Sequence, residues 1–280
     1  MPCRDALGSF RVVSALAADP RRDVGGLLRD WRRRRRISQL DLSVEAEVSA
    51  RHLSFVETGR SRPSRELVLH LAEHLEVPLR ERNVLLLAAG YAPAYTETPL
   101  DAEVMAPARA ALDAVLSGHH PFPAVIVDGR WDLMSANEPA LALLSEDVEP
   151  SLLEPPINAM RVSLHPEGLA PRIANLAEYG GHLLTRVQRQ AVLSGDGALA
   201  ELAGEMAGYL GVDGVPSLAA EPADLLYVPL RLRSGDDELS FFSTLASFGT
   251  ALDITLAELA IEAFFPADDA TRTTLRRRFD

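Results

Sequence analysis

The sequence predicts an α + (α+β) protein: an all-α domain of five short helices, then a domain in which helices cover an antiparallel sheet. Three observations carry this. Apolar residues recur at helical spacing from Val24 to Gly90. From Pro123 onward, alternating runs around turn residues are interleaved with helical stretches. The charge is also split between the two parts.

Val24, Leu27, Leu28 and Trp31 fall on one face of a first helix, which the run Arg32 to Arg36 continues. Ser38 caps a second helix, with Asp41 three residues on as in a capping box. Ser49 caps a third, closed by Gly59. Pro63 and Ser64 open a fourth, with Leu67, Val68, Leu71 and Leu75 inward. Pro78 begins a fifth that ends at Gly90. Tyr91 to Pro99 reads as a connector, and Val104 to Gly118 as a linking helix. "AVIVDGRWDLMSA" predicts a hairpin about Asp128–Gly129, and Leu225–Arg233 with Leu239–Leu245 a second about "SGDD". "LAIEAFFP" supplies a fifth strand, and helices are expected over Asn137–Leu144, Pro171–Leu193 and Ala198–Leu210. The expected divisions are a tail at 1–22, a helical domain at 23–95, a connector at 96–122, a sheet domain at 123–270 and a tail at 271–280.

With 280 residues, 47% hydrophobic and 24% charged, the chain is globular and can bury two cores. Cys3 is the single cysteine, which excludes an intrachain disulfide and predicts a reducing, cytoplasmic setting. The apolar run at Val84–Ala89 is too short for a bilayer, so no membrane partner is expected. "FRVVSALAADP" has the apolar character of a secretion leader, but Arg11 interrupts it. Between Arg21 and Arg65 stand 12 Arg against Asp23, Asp30, Asp41, Glu45, Glu47 and Glu57. Residues 1–20 are neutral and the total is −12, so residues 66–280 carry −18. A basic head on an acidic body fits a polyanionic partner for the head alone.

"SQLDLSVEAEVSARHLSFVETGRSRPS" resembles the helix-turn-helix of the Cro/phage-repressor (Xre-like) family. That resemblance implies double-stranded DNA as partner, with Gln39 touching phosphate and Ala50, Arg51, His52 and Phe55 entering the major groove. Arg60, Ser61, Arg62 and Ser64 would follow the DNA backbone, and Arg36, Ser38 and Ser49 complete the DNA-facing set. An Arg fork suits guanine O6/N7, and helix N-termini suit phosphate. A homodimer on a pseudo-palindromic operator follows from the way such motifs dock. One departure is Glu47, which stands where the family usually has Gly and predicts a mildly strained turn.

"VIVDGRWDLMSAN", "NAMRVSLHPEGLAPRIANLAEYGGHLL" and "ELSFFSTLASFGTALDITLAELAIEAFFPAD" resemble the MmyB-type ligand-binding domain of actinobacterial regulators. This implies a PAS-like sheet-and-helix domain around a small apolar effector, fatty acids being ligands of some members. Trp131, Met134, Phe242 and Phe248 are the expected apolar walls, with Phe241 and Leu245 as further candidates. Phe241 and Phe242 point to opposite faces, so at most one belongs. Arg161 and His165 are the expected polar anchors, an Arg fork suiting a carboxylate. The alternative is a DNA-binding protein whose second domain is a docking or dimerisation module without a metabolite. No "GxSxG", "HExxH", Walker or "GxGxxG" pattern occurs, so neither catalysis nor a metal or cofactor beyond the effector is expected.

Overall fold

The computed structural model describes residues 23–212 and 227–280. The predicted tail at 1–22, with Cys3, and the first two residues of the second hairpin (225–226) lie outside the described residues. The chain separates into two compact units between Ala94 and Tyr95.

The first unit is five helices: α1 (Val24–Arg34), α2 (Gln39–Glu45), α3 (Ala50–Glu57), α4 (Arg65–His74) and α5 (Leu79–Ala88). Four begin at side-chain caps. Asp23 accepts from the Gly26 N–H at 2.8 Å, Ser38 from Asp41 at 3.1 Å, Ser49 from His52 at 3.1 Å and Ser64 from Leu67 at 3.2 Å. Each such cap contributes about 1 kcal/mol. Gly59 and Gly90 end α3 and α5 at φ +71° and +81°. Glu47 takes the same left-handed conformation at φ +51°, as expected of the turn that lacks its Gly. Leu28, Leu42, Leu53, Leu71 and Leu85, one from each helix, are buried in a common core. Gly25 sets the crossing of α1 with α3: a Cβ there would stand 2.1 Å from the Val56 carbonyl oxygen.

The second unit runs α6 (Ala106–Gly118), β1 (Ala124–Val127), β2 (Leu133–Ala136), α7 (Glu138–Ser145), α8 (Ala159–Leu164), α9 (Leu176–Ser194) and α10 (Gly197–Tyr209). Then come β3 (Leu230–Ser234), β4 (Asp237–Ser247), α11 (Ile254–Glu258), β5 (Ala260–Pro266) and α12 (Asp269–Phe279). The strands form one antiparallel sheet in the order β2-β1-β5-β4-β3, the α+β arrangement the sequence predicts. Register fixes the faces. Val125 pairs with Glu262, Leu245 with Glu262, and Ser243 with Phe264, so these share one side. On that side Val125, Val127, Leu232, Leu239 and Phe241 pack with α7 to α10. On the other, Ala124 and Ile126 pack with Leu112 and Leu116 of α6.

Three expectations change. The stretch 96–122 is not a free connector: α6 covers the sheet, and the Thr98 hydroxyl donates to Asp253 at 2.7 Å, which places it within the second unit. The helix expected over Pro171–Leu193 is a short 3-10 turn at Ala170–Arg172 followed by α9, because Ile173 bridges to Leu232 of β3. The stretch 271–280 is no tail: residues 271–279 lie in α12, whose Leu275 is fully buried.

Candidate functional site

In the first unit the caps and crossings present one face of α3. Ser49 caps it, Ala50 and Arg51 are exposed, and His52 and Phe55 are half-buried beside them. The Arg51 guanidinium lies over the Phe55 ring at 5.4 Å, which directs the side chain before any ligand arrives. Ser38 caps α2 and also donates its hydroxyl to Asp41 at 2.6 Å. Arg36, at φ +57°, and Arg60 are exposed. The backbone N–H groups of Arg60 and Ser61 both donate to the Phe55 carbonyl, at 2.8 and 3.1 Å, so the loop is bound to α3. Ser64 is exposed at the start of α4.

Two of the expected DNA contacts have structural work. Arg62 donates to the Ala89 carbonyl at 2.9 Å and stacks on Tyr91 at 5.6 Å, closing the end of α5. The Gln39 amide donates to Glu57 Oε2 at 2.9 Å. Glu57 itself, missed from the sequence as anything but charge, is buried at the end of α3 and takes a two-pronged pair from Arg32 at 2.7 and 2.8 Å. That hydrogen bonding raises the Arg32 pKa above its ordinary value, against the opposing effect of burial. One carboxylate thus holds α1, α2 and α3 in fixed relation. The signal was available as an acid facing inward beside Leu53 and Val56.

In the second unit a cavity of about 80 Å³ lies between the inner sheet face and α7, α8 and α9. Val125, Leu143, Ile173, Leu183, Leu232 and Phe241 are among its walls. Its polar lining is confined to Ser163, Tyr179 and Glu262. Ser163 donates to the Ala159 carbonyl at 2.7 Å. Asn137 and Asn158 set the walls: buried Asn137 caps α7 and accepts from the Ala124 N–H at 3.0 Å, while Asn158 caps α8 and donates to Arg130 O at 2.9 Å. Outside it an apolar groove of about 450 Å³ runs along Leu141, Leu153 and Ile157, and shares Leu144 and Ala159 with the cavity.

None of the six residues expected to bind ligand lines either space. Phe242 is on the outer sheet face, stacked on Phe265 at 5.2 Å; strand parity gives the inner place to Phe241. Phe248 packs in the cluster beneath α6. Met134, on edge strand β2, is 43% exposed. Trp131 is buried but donates to Gln190 at 2.8 Å and stacks under Arg186 at 4.4 Å. Arg161 turns to Glu205 at 2.8 Å, and His165 packs edge-on against Tyr209 while accepting from the Glu167 N–H at 3.1 Å. The Arg161 and His165 side chains thus found partners on α10 and in the following loop rather than in the cavity.

Among the described residues no group of three His, Cys, Asp or Glu could hold a metal ion, and no helix is long and apolar enough to cross a membrane. A capped, exposed helix on a basic unit, followed by a sheet that encloses an apolar space, is the architecture of a DNA-binding regulator with a ligand-binding domain. Comparison with known families agrees: residues 23–85 match the helix-turn-helix domain, and residues 108–277 match the MmyB-like transcription regulator ligand binding domain. The chain belongs to the family of MmyB-like transcription regulators. Both families are regulatory rather than enzymatic. No curated protein is significantly similar over this sequence.

Proposed function

We propose that this protein reads a specific operator through α3, as a homodimer on a pseudo-palindromic site, and that a small apolar ligand in the second unit changes its affinity for DNA. The observation that carries the reading is the exposed start of α3. Ser49, Ala50 and Arg51 are exposed at the start of a helix that the Arg32–Glu57–Gln39 contacts hold in place. A preorganised Arg fork offers two donors to a guanine edge. The apolar walls of the cavity and groove support the ligand. Selection of bound DNA from a random pool tests the reader. Arg51→Ala should relax preference at one base pair per half-site, by about 1–3 kcal/mol. An unchanged binding-site logo would overturn the assignment of α3.

A second reading, a docking platform, is favoured by β4. Strand β3 pairs with it only over Asp237–Phe241, whereas β4 continues to Ser247 with Leu245 49% exposed. Among the described residues that edge offers free backbone groups to another strand.

A further inference from the structure

The inner cavity carries polar groups that suit a hydroxyl and not a carboxylate. Glu262 is 6% exposed on β5, in the middle of the inner sheet face. Its Oε1 accepts from Arg186 Nη1 at 3.0 Å and from the Ser243 hydroxyl at 2.9 Å. Its Oε2 has no hydrogen-bond partner among the described residues. Tyr179, 7% exposed on α9, lines the same cavity, and its hydroxyl likewise has none among the described residues. Burial, helped by the Glu262 charge, pushes the Tyr179 pKa far up, so the phenol stays neutral and can both donate and accept. Neither the Glu262 Oε2 nor the Tyr179 hydroxyl oxygen is among the fully buried, unpartnered atoms, so both are open to a donor or acceptor that enters the cavity.

The available charges exclude an anion. No Arg or His lines the cavity or the groove, and each has one acid, Glu262 and Glu138. Arg186 is committed to Glu262 and to the face of Trp131, and does not line the cavity. A carboxylate entering here would lose its hydration and find no cation to pair with, Arg186 being already taken by Glu262. An ammonium is not called for either, because Arg186 already balances Glu262. A hydroxyl can donate to Glu262 Oε2 and accept from Tyr179.

Size sets the rest. About 80 Å³ is near half of the roughly 150 Å³ cavity that takes up benzene. It admits the end of a chain and not a whole one. Leu144 and Ala159, shared with the outer groove, mark where the remainder would pass.

We infer that the inner cavity selects a neutral, hydroxyl-terminated apolar molecule, its hydroxyl held between Glu262 and Tyr179 and its chain leading past Leu144 and Ala159 into the groove. This rests on the ligand-binding reading of the second unit. Titration calorimetry of the full chain with 1-octanol, octanoate and octylammonium at pH 7 tests it. Octanol should bind at least about tenfold more tightly than either ion. Tyr179→Phe should weaken octanol binding severalfold and leave octanoate unchanged. Glu262→Gln should turn the preference towards octanoate, because it leaves Arg186 without its counter-charge. Octanoate or octylammonium binding as tightly as octanol would overturn the inference while leaving a ligand-binding domain in place. Failure of all three probes to bind would overturn the ligand reading itself, and this inference with it.

Discussion

Glu57 accepts three side-chain hydrogen bonds, two from Arg32 and one from Gln39, while Arg32 also donates to the Ile37 carbonyl at 3.0 Å. The group is almost wholly buried: the Arg32 and Glu57 side chains are 12% and 2% exposed. A buried pair gains little over an apolar replacement, but breaking it is expensive because the surviving charge has no water. Glu57→Ala should therefore cost about 3–5 kcal/mol in unfolding free energy, and more than the removal of an exposed acid. Glu57→Gln should cost less, since an amide oxygen can still accept from Arg32. Urea unfolding of the three chains checks the order. Equal stability of wild type and Glu57→Ala would show that the carboxylate does not hold the helices. The same contact explains a limit of the sequence: Gln39 can be recognised as the first residue of a motif helix, but not that a buried acid 18 residues away already takes its amide.

Helices with strong local signals were legible as elements. The Ser caps of α2, α3 and α4 and the Gly after α3 and α5 place those boundaries, because capping is a contact within a few residues. The cavity was not legible, because its walls depend on register. Alternation says that Phe241 and Phe242 diverge; only the pairing of Phe241 with Pro266 and Ser243 with Phe264 says which one faces the helices. Helix α12 was missed for a related reason. Leu275 and Phe279 are its only large apolar residues, and Arg276 to Arg278 read as a solvated end. In the fold, Leu275 is fully buried in the inner core, and the Thr271 hydroxyl accepts from the Ser240 N–H at 2.9 Å, which ties α12 to β4. Leu275→Ala should destabilise the second unit by about 2–5 kcal/mol. Arg277→Ala, at an exposed position, should stay within about 0.5 kcal/mol. Thermal unfolding distinguishes a packed helix from a tail, on which both substitutions would be silent.

The two units bury separate cores, and the charge divides almost as they do, with an Arg-rich first unit and −18 over residues 66–280. Separate cores mean that residues 23–94 contain the contacts needed to form the reading helix, including the whole Arg32–Glu57–Gln39 group. Basic groups that neutralise phosphates release counterions, so DNA affinity should fall steeply with salt for this piece as for the full chain. What the piece lacks is the cavity. A ligand can change DNA affinity only by its differential affinity for two arrangements of the full chain, and coupling of this kind is typically about 1–3 kcal/mol. The expected outcome is therefore a difference between two proteins. Residues 23–94 should bind the selected operator with an affinity that no apolar ligand alters, and more weakly than the full chain if the second unit supplies the dimer contact. Full-length protein should shift its operator affinity between about fivefold and about 150-fold when the cavity is filled. Fluorescence anisotropy with labelled operator, with and without octanol, measures both. A full-length response below about threefold would put the coupling under about 0.7 kcal/mol, too little for a switch. The second unit would then serve as a docking or dimerisation platform, and the open edge of β4 would be the place to look for its partner.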